Sequence, residues 1–268
     1  MFPGATADRE AADYQVVGAP LDVSSTFEPG ARFGPERIRR YARPFDDYDH
    51  RTDSFFTDLG VHDRGDISAW DDARDYLDYL GSVLRGVTEE GAVPLLLGGE
   101  HTVTVAGVEA LEPEVYVCID AHLDLREEYA GNRWSHATVT DHVLDVVDRA
   151  VIVGARTGSE AEWNRAGATD VTVVPPEDAE SWNPALGNAT VYLSVDIDGA
   201  DPGFAPGTGT KEPFGLEPRT MRDVVRSVAP SAVAFDVVEV TDRDDGQAAS
   251  LAAKLLRAFV YEHADSSG

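Results

Sequence analysis

The chain has 268 residues, of which 43% are hydrophobic, and this is enough to bury the core of a single α/β domain of ~250 residues. Its 49 acidic and 22 basic residues give a net charge of −27, which excludes nucleic acids and anionic membranes as partners, because both bind through clustered basic groups. There is no apolar run of ~18 residues for a membrane span and no secretory pattern near the first residue, and the single cysteine, Cys118, excludes an internal disulfide and a cysteine-built metal site, so we expect a cytoplasmic protein.

Seven short apolar runs predict β-strands. Most are rich in Val, Ile and Leu without polar alternation, which is typical of a parallel sheet that is covered on both faces. The predicted strands are 14–18, 93–97, 115–119, 150–153, 171–174, 191–195 and 232–238.

Amphipathic stretches between these runs predict helices. One begins at Pro35, where proline suits the first turn, and the others are 70–87, 101–111, 138–147, 219–228 and 246–263. This alternation favours one α/β domain over 1–268 with a mostly parallel sheet, in which ligands collect at the carboxyl ends of strands.

Three predicted strands run directly into residues that can bind metal. The first ends in Gly98-Gly99-Glu100-His101, where the glycines allow a sharp turn that leaves His101 at the sheet edge. The second continues into Asp120, His122 and Asp124, which share one face of an extended backbone because they alternate with apolar residues.

The third of these strands ends in Asp196 and Asp198, again on one face. Buried carboxylates are costly unless cations compensate their charge. Oxygen and imidazole donors without thiolate suit Mn²⁺, although Zn²⁺, Fe²⁺, Co²⁺ and Ni²⁺ are alternatives. Six donors exceed what one ion needs, so the spacing indicates a binuclear metallohydrolase in which two ions lower the pKa of a shared water.

At these residues the chain resembles the ureohydrolases, the arginase and agmatinase family. The similarity extends over residues ~14 to 262, nearly the whole chain, and all three family signatures are present: LGGEHTVTVAGVEA at 97–110, VYVCIDAHLD at 115–124 and SVDIDGADPGFAPG at 194–207. The segment 18–39 resembles agmatinases in particular. The resemblance implies a three-layer α/β/α sandwich of the arginase/deacetylase type and a homo-oligomer, either a trimer or a hexamer.

The resemblance also implies a site with two Mn²⁺ ions. One ion would bind His101, Asp120, Asp124 and Asp196, and the other Asp120, His122, Asp196 and Asp198. Asp124 would also count among the catalytic residues, together with His136, which matches a proton-shuttling histidine, and Glu239, which matches the partner of the substrate guanidinium. The implied reaction is hydrolysis of a guanidino compound to urea and a primary amine.

The far end of the substrate is less well defined. Arginases carry an asparagine where this chain has Arg126, and the segment 154–157 resembles the agmatinase form, which favours hydrolysis of agmatine to putrescine. If Arg126 and Lys211 point inward, a guanidino acid such as guanidinobutyrate, or formimidoylglutamate, would fit better. Arginine and aminopropylagmatine are further alternatives, as is a catalytically silent metal-binding subunit.

The charge also predicts a response to salt. An excess of acids with only two lysines, Lys211 and Lys254, is typical of proteins from salt-loving organisms. We expect the thermal midpoint to rise between ~0.1 and ~2 M KCl, because a Debye length of ~3 Å at 1 M screens the repulsion among carboxylates. A midpoint that stays level or falls in a calorimetric salt series would contradict this prediction.

Overall fold

The computed structural model describes residues 1–68, 70 and 72–267, with side chains through 266. Its strands are β1 (Tyr14–Ala19), β2 (Tyr48–Asp49), β3 (Ser54–Phe55), β4 (Val61–Asp66), β5 (Val93–Gly98), β6 (Val115–Ile119), β7 (Arg149–Val153), β8 (Val171–Val174), β9 (Val191–Asp196) and β10 (Ala232–Val238). Eight of them form one parallel sheet in the order β4-β1-β5-β10-β9-β6-β7-β8, and β2 pairs with β3 in a short antiparallel hairpin.

Helices cover both faces of the sheet. They are α1 (Gly34–Ala42), α2 (Ala73–Glu89), α3 (Val103–Leu111), α4 (Val139–Val143), α5 (Glu160–Ala166), α6 (Pro176–Ala179), α7 (Pro218–Val228) and α8 (Gln247–Ser267). Helices α1 and α7 pack against α8, whereas α3 packs against α2 and α4. Alternate residues of β5 serve the two layers, since Leu95 and Leu97 belong to one core cluster and Leu96 to another.

The expected three-layer α/β/α architecture is confirmed, and all seven predicted strands are present with ends that differ by at most one residue. The predicted helix 138–147 is shorter: a 3₁₀ turn at His136–Thr138 leads into α4. Helix α2 begins at Ala73, after Asp72 caps its first turn, and Asp71 of the predicted helix lies outside the described residues. None of the helices in the described part of the chain is both long and apolar enough to cross a membrane.

The strand order explains why distant segments meet. After β6 the chain adds β7 and β8 outward, then returns to place β9 and β10 between β6 and β5. The neighbours β5, β10, β9 and β6 are therefore the strands whose carboxyl ends carry His101, Glu239, Asp196 and Asp120. The carboxyl edge of a parallel sheet, where the strand order reverses, is the usual place for a ligand.

Candidate metal centre and substrate cavity

His101 reaches the sheet edge because the chain turns sharply at Gly99. A Cβ atom on Gly99 would lie 1.9 Å from the carbonyl oxygen of Leu21, so only glycine allows this backbone approach. The turn is held by hydrogen bonds from the Gly99 amide to Ala19 O and from the Glu100 amide to Leu21 O. The imidazole of His101 is buried as a result.

Three carboxylates surround one nitrogen of this imidazole. His101 Nδ1 lies 3.0 Å from Asp124 Oδ2, 3.2 Å from Asp120 Oδ2 and 3.5 Å from Asp196 Oδ2. All three aspartates are buried, and Nδ1 is a buried nitrogen that makes no hydrogen bond. One imidazole nitrogen and three carboxylate oxygens arranged in this way could together coordinate a cation.

A second group of donors lies beside the first. His122 Nδ1 is 3.0 Å from Asp198 Oδ2 and 3.5 Å from Asp120 Oδ1. Asp120 therefore presents one oxygen to each group, as a bridging ligand would. Asp196 faces the first group through Oδ2, while its Oδ1 accepts a hydrogen bond of 2.9 Å from the Asp198 amide.

The charges of this cluster require compensation. Burial, together with the charges of Asp198 and Asp120, raises the pKa of Asp196 well above its usual range. Burial and the neighbouring Asp120 raise the pKa of Asp124 to about 7. Carboxylates that resist ionisation in the protein alone, beside an imidazole nitrogen without a hydrogen bond, fit a site for divalent cations.

Cys118 also lies close to this centre, but its thiol contacts the other ring nitrogen of His101, Nε2. Its Sγ lies 3.8 Å from Asp120 Oδ2 and 3.8 Å from His101 Nε2, whereas the carboxylates surround Nδ1. Although His101, Cys118 and Asp120 could together hold an ion, burial raises the pKa of the Cys118 thiol to about 11, which disfavours the thiolate that metals bind.

The polar residues behind His101 were missed in the sequence because they lie within apolar strands or, for Thr104, on the apolar helix α3. His101 Nε2 is 3.1 Å from the Tyr116 hydroxyl and 3.3 Å from Ser194 Oγ. Ser194, Thr104 and Tyr192 all donate hydrogen bonds to the buried carboxylate of Asp236. Such partners fix the orientation of a ligating imidazole. The only sign of them in the sequence is that each is a polar residue within an otherwise apolar strand or helix.

Glu239 follows β10 and lies against the same centre. Its Oε1 accepts a hydrogen bond of 2.8 Å from the His101 amide, and its own amide donates to Gly99 O. The backbone adopts a left-handed conformation, with φ of 62°, at a cost of about 1–2 kcal/mol for a residue other than glycine. Burial and the nearby Glu100 raise the pKa of Glu239 to about 8, so this carboxylate needs a cationic partner.

His136 lies between the hydroxyl groups of Ser24 and Thr26. Its Nδ1 is 3.3 Å from Ser24 Oγ, and its Nε2 is 3.4 Å from Thr26 Oγ1. Burial and the neighbouring His122 and His101 lower the pKa of His136 to about 4, so the ring is neutral near pH 7.

The buried carboxylate of Glu100 holds this arrangement in place. It accepts hydrogen bonds from the amides of Val23 and Ser24 and from the hydroxyls of Ser24 and Thr102. Sequence reasoning did not assign a role to Glu100 or Ser24, because Ser24 contacts His136 across more than a hundred residues of chain and Glu100 acts only through Ser24.

A cavity of about 330 Å³ opens from the metal donors His122 and Asp124. A small adjoining recess reaches Glu239 and shares Thr26, His136 and Thr210 with the cavity. The far wall carries Arg126, Tyr129, Ser159, Glu162 and Glu212. The recess that contains Glu239 therefore adjoins the cavity that contains this far wall.

Arg126 and Lys211, whose orientation decides between a cationic and an acidic substrate, both pair with a carboxylate. Arg126 lies 3.0 Å from the buried Glu162 carboxylate and stacks over the Tyr129 ring at 5.1 Å. Lys211 Nζ donates hydrogen bonds to Glu28 Oε2 at 2.6 Å and to Thr208 O at 3.0 Å, and it is not part of the cavity wall. Neither side chain offers a free positive charge to the cavity.

The described fold and sequence match known proteins. The model of the arginase family matches residues 12–261. An agmatinase from Pyrococcus horikoshii is 33% identical over 94% of this chain and 92% of its own length, and an N(1)-aminopropylagmatine ureohydrolase from Thermococcus kodakarensis is 35% identical over 92% and 89%. The crystal structure of agmatine ureohydrolase of Thermoplasma volcanium superposes with a TM-score of 0.94 at 32% identity, over 99% and 94% of the two chains. The chain belongs to the arginase family.

A metal site made by the carboxylate cluster and one that includes the Cys118 thiol predict different outcomes for two substitutions. Asp120→Ala removes the carboxylate that faces both groups, so we expect a clear loss of bound divalent metal in elemental analysis. Cys118→Ala removes only the thiol beside Nε2, so its metal content should equal that of the parent. Equal metal loss in both variants would show that the thiol, rather than the carboxylate cluster alone, holds the ion.

Proposed function

We propose that this arginase-family chain is a ureohydrolase that cleaves agmatine to urea and putrescine. The observation that carries the proposal is a cavity lined by the metal donors His122 and Asp124 and by the paired Arg126 and Glu162, with an adjoining recess that contains Glu239. A long molecule could place its guanidinium in the recess at Glu239 and its ammonium beside the carboxylates of the cavity wall. Urea release by the manganese-loaded protein, measured across a panel of guanidino compounds, tests the proposal.

The donors fit two Mn²⁺ ions. One set comprises His101, Asp120, Asp124 and Asp196, and the other comprises Asp120, His122, Asp196 and Asp198. Bound ions would lower the pKa of a coordinated water, so that a nucleophile is available near neutral pH. A donor set of carboxylate oxygens and imidazole nitrogens, without thiolate, suits Mn²⁺.

The other side chains act on the substrate and on protons. The buried Glu239 carboxylate would bind the planar guanidinium by charge-assisted hydrogen bonds and place its carbon beside the metal donors. His136 is neutral in the resting site, so its imidazole can take the proton released as water adds to this carbon and deliver it to the leaving amine. Ser24 and Thr26 hold the ring in place.

The far wall favours a cationic end group. Glu162 neutralises Arg126, and it is itself fixed by hydrogen bonds from the Ser159 amide and hydroxyl. Glu212 adds a further carboxylate to the same wall. A substrate carboxylate would therefore meet two acids and only one basic group that is already paired, which disfavours guanidinobutyrate, arginine and formimidoylglutamate.

N(1)-Aminopropylagmatine is the second candidate substrate. The relative from Thermococcus kodakarensis is named for this activity, and the cavity of about 330 Å³ falls within the size range of sites that enclose small organic ligands. A kcat/KM for aminopropylagmatine well above that for agmatine would select it.

Glu239→Gln tests the guanidinium partner. The amide keeps the shape of the side chain but removes its charge, so we expect kcat/KM for agmatine to fall by ~10²-fold or more, because a charged hydrogen bond in a dry site is worth several kcal/mol. Metal content should be unchanged. A variant within about threefold of the parent would show that another group holds the guanidinium.

Glu162→Gln tests the far wall by releasing the charge of Arg126. Glutamine can replace glutamate in the capping box that Ser159 and Glu162 form at the start of α5, so the fold should persist. The freed positive charge should lower kcat/KM for agmatine by ~10-fold, because a unit charge within a few ångströms is worth at least 1 kcal/mol.

The matched control is the double variant Glu162→Gln/Arg126→Gln, in which neither charge remains. It should recover most of the loss for agmatine, whereas guanidinobutyrate should improve only in the single Glu162→Gln variant. If Glu162→Gln alone retains the parental kcat/KM for agmatine, the ion pair between Arg126 and Glu162 does not determine the choice of substrate.

A further inference from the structure

A second and larger cavity, of about 480 Å³, lies on the outer side of α7 and α8 and contains none of the site residues described above. Its wall is formed by residues of these two helices, by the turn that follows α1 and by β2. Five basic side chains line it: Arg219, Arg222, Arg226, Lys254 and Arg257.

The charge of this cavity is opposite to that of the chain. Only two acids, Asp46 and Asp49, share the wall with the five basic groups, although the chain carries −27 overall. Asp49 also accepts hydrogen bonds from the amides of Arg51 and Thr52 and from the Thr52 hydroxyl. With five basic groups against two acids, the cavity wall carries an excess of positive charge in a strongly acidic protein.

The basic groups have few carboxylate partners. Arg222 pairs with the adjacent exposed Asp223. Among the residues that the structure describes, no carboxylate lies within ion-pair distance of Arg219, Arg226 or Lys254. Arg257 donates instead to Asp47 O and to the Tyr261 hydroxyl.

Three of the arginines form a row on one face of α7. Arg219, Arg222 and Arg226 occupy positions i, i+3 and i+7, so their like charges repel each other along the helix. The Nε atom of Arg226 is buried without any hydrogen-bond partner, which is costly for a charged group. Burial and the nearby Arg51 and Arg222 lower the pKa of Arg226, and the carboxylates of Asp49 and Glu262 offset only part of this effect. An anion in the cavity would offset the repulsion along this row.

The remaining wall is apolar and aromatic. Phe45, Tyr48, Leu251, Leu255 and Ala258 contribute to it, and Lys254 Nζ lies 4.1 Å from the centre of the Phe45 ring. Cavities of this size with an apolar wall and a few charged groups are typical of sites for small organic ligands. Arginine forks are well suited to phosphate oxygens because they bind them through two parallel hydrogen bonds.

We propose that this cavity, which we call the α7–α8 site, binds a small molecule bearing a chain of phosphate groups. The arginine row of α7 holds the phosphates, and the aromatic wall accepts any organic part that they carry. Inorganic tripolyphosphate and ATP share this chemistry, and they differ in whether the wall around Tyr48 and Phe45 is used.

The test is equilibrium dialysis of the metal-loaded protein against tripolyphosphate and, separately, ATP. We expect saturable binding that weakens by ~10-fold in Arg226→Gln and in Arg222→Gln, since each variant loses a guanidinium that phosphate oxygens would contact. The matched control is Arg85→Gln, an exposed arginine of α2, which should bind as the parent does. Urea release without added phosphates should be unchanged in all three variants.

The outcomes separate the sources and the alternatives. Tighter binding of ATP supports a nucleotide, and equal binding supports the phosphate chain alone. Absence of saturable binding, or equal affinities in the parent and both α7 variants, would overturn the proposal; the latter would indicate capture by the active-site metal. Loss of self-association in Arg226→Gln by light scattering, without phosphate binding by the parent, would instead assign this face to a second copy of the chain.

Discussion

The structure depends on crowding negative charge at one edge of a sheet. Asp120, Asp124, Asp196 and Asp198 are buried around two imidazoles, and Glu239 lies close behind them. Burial and neighbouring carboxylates raise the pKa of Asp196 and of Asp124, so the protein alone disfavours the charged form of these two side chains. The site is therefore arranged for positive charge from outside the chain, both divalent metal and the cationic end of a substrate.

Rigid backbone holds these repelling groups together. Asp124 and Glu239 both adopt left-handed conformations, with φ of 51° and 62°, which residues other than glycine rarely occupy. Hydrogen bonds oppose this strain: the Asp141 amide donates to Asp124 O, and the Glu239 amide donates to Gly99 O. Arg156 adds to the same frame through hydrogen bonds to the carbonyl oxygens of Gly154, Asp198 and Glu212. The sheet positions the donors, and the loops then fix their directions.

Much of this site could be predicted because the relevant residues follow apolar strands. Asp120, His122 and Asp124 alternate with buried Ala121 and Leu123, and this local pattern is legible without a structure. Strand β4 was missed because its sequence, VHDRGD, is polar at most positions and it lies at the sheet edge, where only one neighbour covers it.

The far wall of the cavity could not be predicted in the same way. The orientation of Arg126 depends on Glu162, which is distant in sequence and lies on a helix that was not predicted, so the pairing is a property of the tertiary structure alone. The charge of a side chain was visible in the sequence, but whether that charge is free to meet a ligand was not.

The same distinction between formal and available charge applies to the whole molecule. An acidic surface draws small cations toward the protein and raises their local concentration, which suits a dicationic substrate. Arg126 and Lys211 do not oppose this field at the catalytic cavity, because Glu162 and Glu28 pair with them. At the α7–α8 site Arg219 and Arg226 have no such partner among the described residues, and the surrounding field repels anions. Only a ligand carrying several negative charges close together could gain enough from the arginine row to overcome that repulsion, which is why a phosphate chain fits this cavity better than a single carboxylate.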